Sequence, residues 1–196
     1  MTSLPIIGYN VIMTKRWLGI VGRNGSGKSS VCDYLGSKGY RVVSLSDVVR
    51  HYATQQNIAH TRTNLTELAN QLKAENGLTF FAEVTFNDVK SEQLVVFDSV
   101  RHPKEIEYLS QKGVVFIGIH ADLKDCYDRI KARGKGTDFV TFDEFKKQDE
   151  YEMSGKSRGQ SIMDCLSQCD YRIENNQGLP HLFDSIDDIL ETVFKE

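Results

Sequence analysis

Short apolar runs alternate with longer amphipathic stretches along most of the chain. Several of the apolar runs are continuous, which is typical of strands in a parallel sheet that is covered on both faces. The predicted strands are Trp17–Val21, Arg41–Leu45, Leu94–Phe97, Val114–His120 and Tyr171–Glu174. The pattern therefore indicates a sheet buried between layers of helices.

The stretches between the predicted strands show helical periodicity, with apolar residues at i, i+3, i+4 and i+7. The repeats are Leu65, Leu68, Ala69 and Leu72; Leu123, Cys126, Tyr127 and Ile130; and Ile186, Ile189, Leu190 and Val193. Asn64 with Glu67 is the predicted capping pair of the first repeat, and Ser185 is the predicted N-cap of the last. Alternating strands and helices predict a three-layer α/β/α fold with a parallel sheet.

Two stretches interrupt this alternation. Residues 46–90 are a long, mostly helical insertion between the second and third predicted strands, and residues 134–159 are polar, charged and rich in Gly and Lys. Insertions of this kind on the ligand side of a sheet often become lids. We therefore divide the chain into an N-terminal extension, residues 1–16, and one domain, residues 17–196, that carries both insertions.

Composition narrows the class of protein. The 196 residues carry a net charge of -3, which gives no electrostatic reason to expect nucleic-acid binding. No apolar run approaches the roughly 20 residues of a membrane span. The four cysteines show neither a CxxC pair nor a histidine at zinc-ligand spacing, so we expect free thiols in a reducing compartment. The expectation is a cytoplasmic monomer without nucleic-acid or membrane partners.

One segment matches a phosphate-binding pattern at every fixed position. Residues 22–29 read Gly-Arg-Asn-Gly-Ser-Gly-Lys-Ser, which fits G-x-x-x-x-G-K-[ST], the P-loop. An apolar strand precedes the segment and an amphipathic helix follows it, a context that a chance match in a glycine-rich turn rarely has. Glycines allow backbone N–H groups to approach phosphate oxygens, and the start of the helix adds its positive end.

The P-loop predicts ATP with Mg²⁺ as the ligand. Lys28 is expected to reach the β- and γ-phosphates, and the Ser29 hydroxyl is expected to bind Mg²⁺. Asp98 follows three apolar residues, as a Walker-B-type carboxylate does, and is the second predicted Mg²⁺ ligand. The predicted nucleotide contacts in the loop are Gly22, Asn24, Gly25, Ser26, Gly27, Lys28, Ser29 and Ser30.

Charged residues also follow the second and third predicted strands. Asp47 lies where a strand gives way to a helix, and Arg50, one turn further on, is suited to a bidentate contact with a phosphate. The third strand leads into Asp98-Ser99-Val100-Arg101. A simple N-cap role for Asp47 and a solvent-exposed position for Arg50 are the structural alternatives.

Two further segments carry candidate residues. Arg129 and Arg133 are four residues apart and therefore share a helix face, although an ion pair between Asp125 and Arg129 would also explain the first of them. The last predicted strand runs into Asn175, which suits the start of a turn.

In order and spacing these segments resemble the nucleoside monophosphate kinase group, which contains adenylate kinases, dephospho-CoA kinases and an archaeal-type branch related to both. The resemblance runs from about Trp17 to Leu190 and implies a P-loop NTPase sheet with strand order 2-3-1-4-5. Two residues depart from the group: Ser99 stands where adenylate kinases have glycine, and Gln148 where the archaeal-type branch often has arginine.

The resemblance also implies roles for the candidate residues. Arg50 and Arg101 would hold the phosphate of an acceptor, with Asp47 orienting the acceptor or accepting its proton. Arg129 and Arg133 would contact the donor phosphates during transfer, and the loop at Asn175 would approach the donor adenine. Residues 46–90 would be an acceptor-binding insertion, and residues 134–159 a lid.

The expected function is transfer of the γ-phosphoryl group of ATP to a small phosphorylated acceptor. A nucleoside or deoxynucleoside monophosphate is the first candidate acceptor because two arginines are available for its phosphate. Dephospho-CoA is the second, since the last strand and Asp47 are compatible with it. A regulatory protein that binds nucleotide without transferring phosphate is the alternative of another class.

Overall fold

Five parallel strands form the centre of the molecule in the computed structural model, which describes residues 15–134, 140–154 and 161–195. The strands are β1 (Arg16–Gly22), β2 (Arg41–Ser44), β3 (Leu94–Asp98), β4 (Val115–His120) and β5 (Tyr171–Glu174). Their order is β2-β3-β1-β4-β5, and every neighbouring pair is parallel. The predicted fold class and strand order are confirmed.

Helices cover both faces of the sheet. Those in the described residues are α1 (Lys28–Ser37), α2 (Leu45–Gln55), α3 (Arg62–Asn76), α4 (Phe80–Val89), α5 (Pro103–Ser110), α6 (Leu123–Arg133), α7 (Phe142–Met153), α8 (Ile162–Ser167) and α9 (Leu179–Val193). Because side chains alternate across a strand, Leu18 and Ile20 of β1 pack with α1 and α9, whereas Trp17 and Val21 pack on the opposite face. Among the described residues, we find no helix that has both the length and the apolar character to cross a membrane.

The insertion at residues 46–90 forms helices, as predicted, and also contributes buried residues to the core on one face of the sheet. Val49 of α2, Leu72 of α3 and Phe81 of α4 are buried in one cluster with Phe97 of β3. The part of the chain that precedes the third strand is therefore more than an appended binding element.

Two predicted helix starts are wrong. α3 begins at Arg62, and its N-cap is Thr61, whose hydroxyl accepts the N–H of Asn64 at 3.3 Å. The capping pair predicted at Asn64 lies three residues too late, because the apolar repeat begins only after the first turn. α9 begins at Leu179 after the N-cap Gly178, so Ser185 lies inside the helix, where it donates to the carbonyl of His181.

The predicted boundaries need one correction. Arg16, which we assigned to the N-terminal extension, is the first residue of β1 and pairs with Leu94. The rest of that extension, up to residue 14, lies outside the described residues. The predicted lid is described only over 140–154, which contains α7, and at residue 134; residues 135–139 and 155–159 of it lie outside.

Candidate active site

The P-loop joins β1 to α1 at the carboxyl edge of the sheet. Gly25 and Gly27 have positive φ angles of 81° and 110°. A Cβ at Gly25 would lie 2.4 Å from the carbonyl oxygen of Cys126, and one at Gly27 would lie 2.5 Å from Nδ2 of Asn175. Only glycine fits either position, because the backbone is pressed against α6 and the β5–α9 loop and adopts a left-handed conformation.

Lys28 is the first residue of α1 and folds back over the loop. Its ammonium group donates to the carbonyl oxygen of Arg23 at 2.7 Å. Burial, which is the largest cause, and the positive charge of Arg101 lower the pKa of Lys28 to about 8, while Asp98 and Glu152 act in the opposite direction. The negative charge of a bound polyphosphate would stabilise the charged form of Lys28, as expected for a phosphate-binding lysine.

A cleft of about 340 Å³ opens above the loop. The predicted site residues that line it are Asn24, Gly25, Gly27, Lys28, Ser29, Ser30, Arg129, Arg133 and Asn175. Gly22 and Ser26 lie beneath it: Ser26 is fully buried, and its hydroxyl lies 2.6 Å from where a Cβ of Gly22 would be. These two residues therefore shape the turn from below and are not among the residues that line the cleft.

Asn175 braces the P-loop from the side. Its Nδ2 donates to the carbonyl oxygen of Ser26 at 2.8 Å, and its backbone N–H donates to the carbonyl oxygen of His120 at 2.7 Å. The side chain is buried, and its Oδ1 has no hydrogen-bond partner among the described residues. In this structure the Asn175 side chain contacts the phosphate loop itself, a role that neither sequence interpretation included.

Arg129 reaches the same loop from α6. One of its guanidinium nitrogens donates to the carbonyl oxygen of Asn175 at 2.7 Å, and the other lies 3.5 Å from the carbonyl oxygen of Gly25. These contacts, and not the surface ion pair with Asp125 that we held as an alternative, determine its position. The predicted donor-side arginines thus lie at the cleft, because Arg133 also lines it.

The predicted acceptor residues lie on the other side of the loop, and each is paired within the chain. Arg50 of α2 donates to Asp47 at 2.5 Å and to the Ser46 hydroxyl at 2.7 Å. Arg101 instead lies 3.7 Å from a carboxylate oxygen of Glu152 in α7. Asp47 is not an N-cap, since α2 begins at Leu45, and both Asp47 and Arg50 are exposed.

Asp98 ends β3 beside the P-loop, and Ser99 fixes its orientation. The Ser99 hydroxyl donates to Oδ2 of Asp98 at 3.1 Å and accepts from the Ser44 hydroxyl at 2.9 Å. The φ angle of Ser99 is 63°, a left-handed conformation that glycine adopts at least cost. Serine therefore adopts a backbone conformation here that glycine would adopt with less strain.

The fit of Mg²⁺ depends on ligands beyond the protein. Ser29 is exposed at the start of α1, and the charge of Asp98 acts on neighbouring Lys28. In the described ranges, no group of three or more His, Cys, Asp or Glu side chains is placed to hold a metal ion. One hydroxyl and one carboxylate suit Mg²⁺ when phosphate oxygens and water complete its shell.

α7 carries site residues that the sequence pattern did not reveal. Asp149 is buried and lies 3.4 Å from Arg23 of the P-loop. Burial raises the pKa of Asp149, and Arg23 offsets part of this shift. Although charged residues dominate α7, one side of the helix is therefore buried. A usable signal existed, because Phe145, Asp149 and Met153 recur at helical spacing and are all buried.

Two further α7 residues contact the acceptor-side insertion. Arg62, at the start of α3, donates to Oε1 of Gln148 at 2.9 Å and pairs with Glu152. The same Glu152 pairs with Arg101, as described above. Neither Arg62 nor Glu152 was a sequence candidate, because their contact joins segments far apart in the chain.

Known proteins are similar to this chain in sequence and in fold. A family model described as an AAA domain matches residues 18–150. A UPF0200 protein of Hyperthermus butylicus is 31% identical over 163 residues, covering 82% of this chain and 85% of the relative. A UPF0200 protein of Pyrobaculum aerophilum is 32% identical over 160 residues, covering 81% of this chain and 86% of the relative.

Solved structures show the same architecture at lower identity. TT1252 from Thermus thermophilus has a TM-score of 0.56 and 18% identity, covering 92% of this chain and 99% of its own. Shikimate kinase from Acinetobacter baumannii, solved in complex with shikimate, has a TM-score of 0.54 and 16% identity, covering 92% and 94%. The fold is that of a P-loop kinase, and the chain belongs to the AAA-domain family and to the UPF0200 proteins.

Proposed function

We propose that the protein is an ATP- and Mg²⁺-dependent phosphotransferase that acts on a small acceptor. The observation that supports this most strongly is the cleft over the P-loop, where Lys28, Arg129 and Arg133 lie together. Phosphoryl transfer needs little covalent help from a protein, so that cations around the transferring group carry most of the catalysis. A loop, a lysine and two arginines at one cleft are what such a reaction requires.

Each donor-side residue has a distinct task in this proposal. The backbone N–H groups of the P-loop and the start of α1 bind the phosphates, and Lys28 neutralises the β- and γ-phosphates. Arg129 and Arg133 balance the charge that develops during transfer. Ser29 and Asp98 would hold Mg²⁺, which would supply positive charge to the phosphates.

For the acceptor, we propose a nucleoside or deoxynucleoside monophosphate. Arg50 and Arg101 support this choice, since both follow strands whose carboxyl ends meet the P-loop at one edge of the sheet. Their half-exposed guanidinium groups can exchange a carboxylate of the chain for a phosphate of the acceptor. The preference for nucleotides rests on the resemblance to nucleoside monophosphate kinases.

A hydroxyl acceptor such as dephospho-CoA is the second candidate. Asp47 supports it, because its exposed carboxylate stands at the first turn of α2, where it could accept a proton. The hydroxyl groups of Ser44, Ser46 and Ser99 lie within hydrogen-bonding distance of one another beside it and suit a polar, hydroxyl-bearing ligand.

The experiment is a steady-state assay of ADP release from ATP with Mg²⁺. The acceptor panel contains nucleoside and deoxynucleoside monophosphates, dephospho-CoA and shikimate. We expect one class of acceptor to stimulate ADP release. Saturable ATP binding with no stimulated turnover across the panel would instead support the regulatory alternative.

Arg101→Ala tests the acceptor side separately. We expect a higher acceptor KM or a lower kcat, with ATP affinity nearly unchanged. Arg41→Ala is the matched control, because Arg41 is as exposed as Arg101 and is also ion-paired, but it lies at the amino end of β2, away from the edge of the sheet that carries the P-loop. Unchanged acceptor kinetics in Arg101→Ala, or equal losses in both variants, would contradict the assignment of Arg101.

A further inference from the structure

Glu152 of α7 lies between two arginines from different parts of the chain. Arg62 comes from the start of α3, and Arg101 comes from the loop after β3. The side chain of Glu152 is only 16% exposed, whereas those of Arg62 and Arg101 are 52% and 44% exposed. The carboxylate is thus covered, while both guanidinium groups remain open to solvent and to a ligand.

This arrangement lies close to the P-loop. The charges of Arg101 and Glu152 both act on the ammonium group of Lys28. Three residues earlier on the same helix, Asp149 pairs with Arg23 of the loop itself. An anion held by Arg62 and Arg101 would therefore lie on the side of the P-loop that α7 covers.

The chemistry of the two arginines suits an anionic group. A guanidinium group matches a phosphate or a carboxylate with two parallel hydrogen bonds. Arg62 is also the first residue of a 15-residue helix, whose start favours negative charge. A carboxylate of the chain already occupies this position, which shows directly what kind of group the position accepts.

We propose that Arg62 and Arg101 form an anion subsite for the acceptor, and that Glu152 occupies it until the acceptor binds. The inference rests on the proposed function in treating the ligand as the acceptor, but the subsite itself does not depend on turnover. Arg62 thereby becomes an acceptor-binding residue alongside Arg101, and Glu152 competes with the anionic group of the acceptor. That group is a phosphate or a carboxylate.

The test uses inorganic phosphate and acetate as probes of the folded, full-length protein. NMR titration of the arginine Nε–Hε resonances reads binding at Arg62 and Arg101 separately from binding at the P-loop. We expect Glu152→Gln to tighten binding by about threefold, because the competing carboxylate is lost from two half-exposed guanidinium groups. Adding Arg62→Gln to this variant should abolish the gain. The tighter of the two probes identifies the anionic group.

The control is Glu150→Gln on the same helix, which removes an exposed carboxylate that faces Lys146. It should leave the affinity of both probes unchanged. Gln148→Glu gives a second, independent test, because a new carboxylate against Arg62 should weaken binding by a similar factor.

Unchanged affinity in Glu152→Gln and Gln148→Glu, or an equal gain in Glu150→Gln, would overturn the proposal. If Glu152→Gln gains affinity but no acceptor stimulates ADP release, the subsite stands and the proposed function fails. The two failures are therefore distinguishable.

Discussion

Lys28 should take up a proton when the protein binds ATP. In the free protein burial lowers its pKa to about 8. Bound phosphates favour the charged form and raise the pKa again, so binding is strongest below pH 8 and weakens as the pH rises through 8. The fraction of uncharged lysine gives an uptake of about 0.1 proton at pH 7, about 0.5 at pH 8 and about 0.9 at pH 9. The affinity should fall by about tenfold between pH 7 and pH 9.

Calorimetry in buffers with different ionisation enthalpies measures this uptake directly. The titration uses ATP with Mg²⁺ between pH 8 and pH 9, above the range in which ATP itself exchanges protons. Lys28→Arg is the control, since its guanidinium group stays charged over the whole range and residual binding should take up no proton. Saturable binding at pH 8.5 without proton uptake in the unmodified protein would refute the reasoning.

Three other variants test the structure behind the site. Gly27→Ala should weaken ATP binding about tenfold or more in calorimetry, because the added Cβ collides with the side chain of Asn175. Gly39→Ala is the control, since Gly39 has a similar positive φ but open space around it. It should lower the free energy of unfolding by about 1 kcal/mol and leave the affinity for ATP unchanged. Ser99→Ala should be less stable than Ser99→Gly by about 1 kcal/mol in urea unfolding. Both variants lose the same hydrogen bonds, but only alanine is strained by the left-handed backbone conformation at this position. Equal stabilities of the two variants would contradict this. Lys73→Met should lower the free energy of unfolding by about 3 kcal/mol, because the ammonium group of Lys73 lies 2.9 Å from the buried carboxylate of Glu105 and the variant leaves that carboxylate without a cation. Adding Glu105→Gln should recover part of the lost stability.

The fold and the donor side could be predicted because their signals are local. The apolar runs of the five strands and the glycine pattern of the P-loop lie in contiguous segments, and neighbouring residues determine most of their conformation. The departure at Ser99 was visible in the sequence, but its meaning was not, since only the backbone angle shows that the position requires a left-handed conformation.

The acceptor side could be predicted only in part, because its contacts join distant segments. Nothing near Arg62 in the sequence indicates that Glu152 will lie beside it, and the mixed charges of α7 resemble an ordinary solvated face. The sequence made Asn175 a candidate site residue but did not predict its observed contact. Its partner, the carbonyl oxygen of Ser26, belongs to a segment that lies far away in the sequence.

The central claim is that the backbone between β1 and α1 holds the phosphates of ATP. The most direct measurement follows the backbone amide resonances of Gly25, Gly27 and Lys28 while ATP with Mg²⁺ is added to the folded protein. The account predicts saturable shifts of these amides at one common affinity. Loop amides that stay unchanged at saturating concentrations of both ATP and GTP would contradict it.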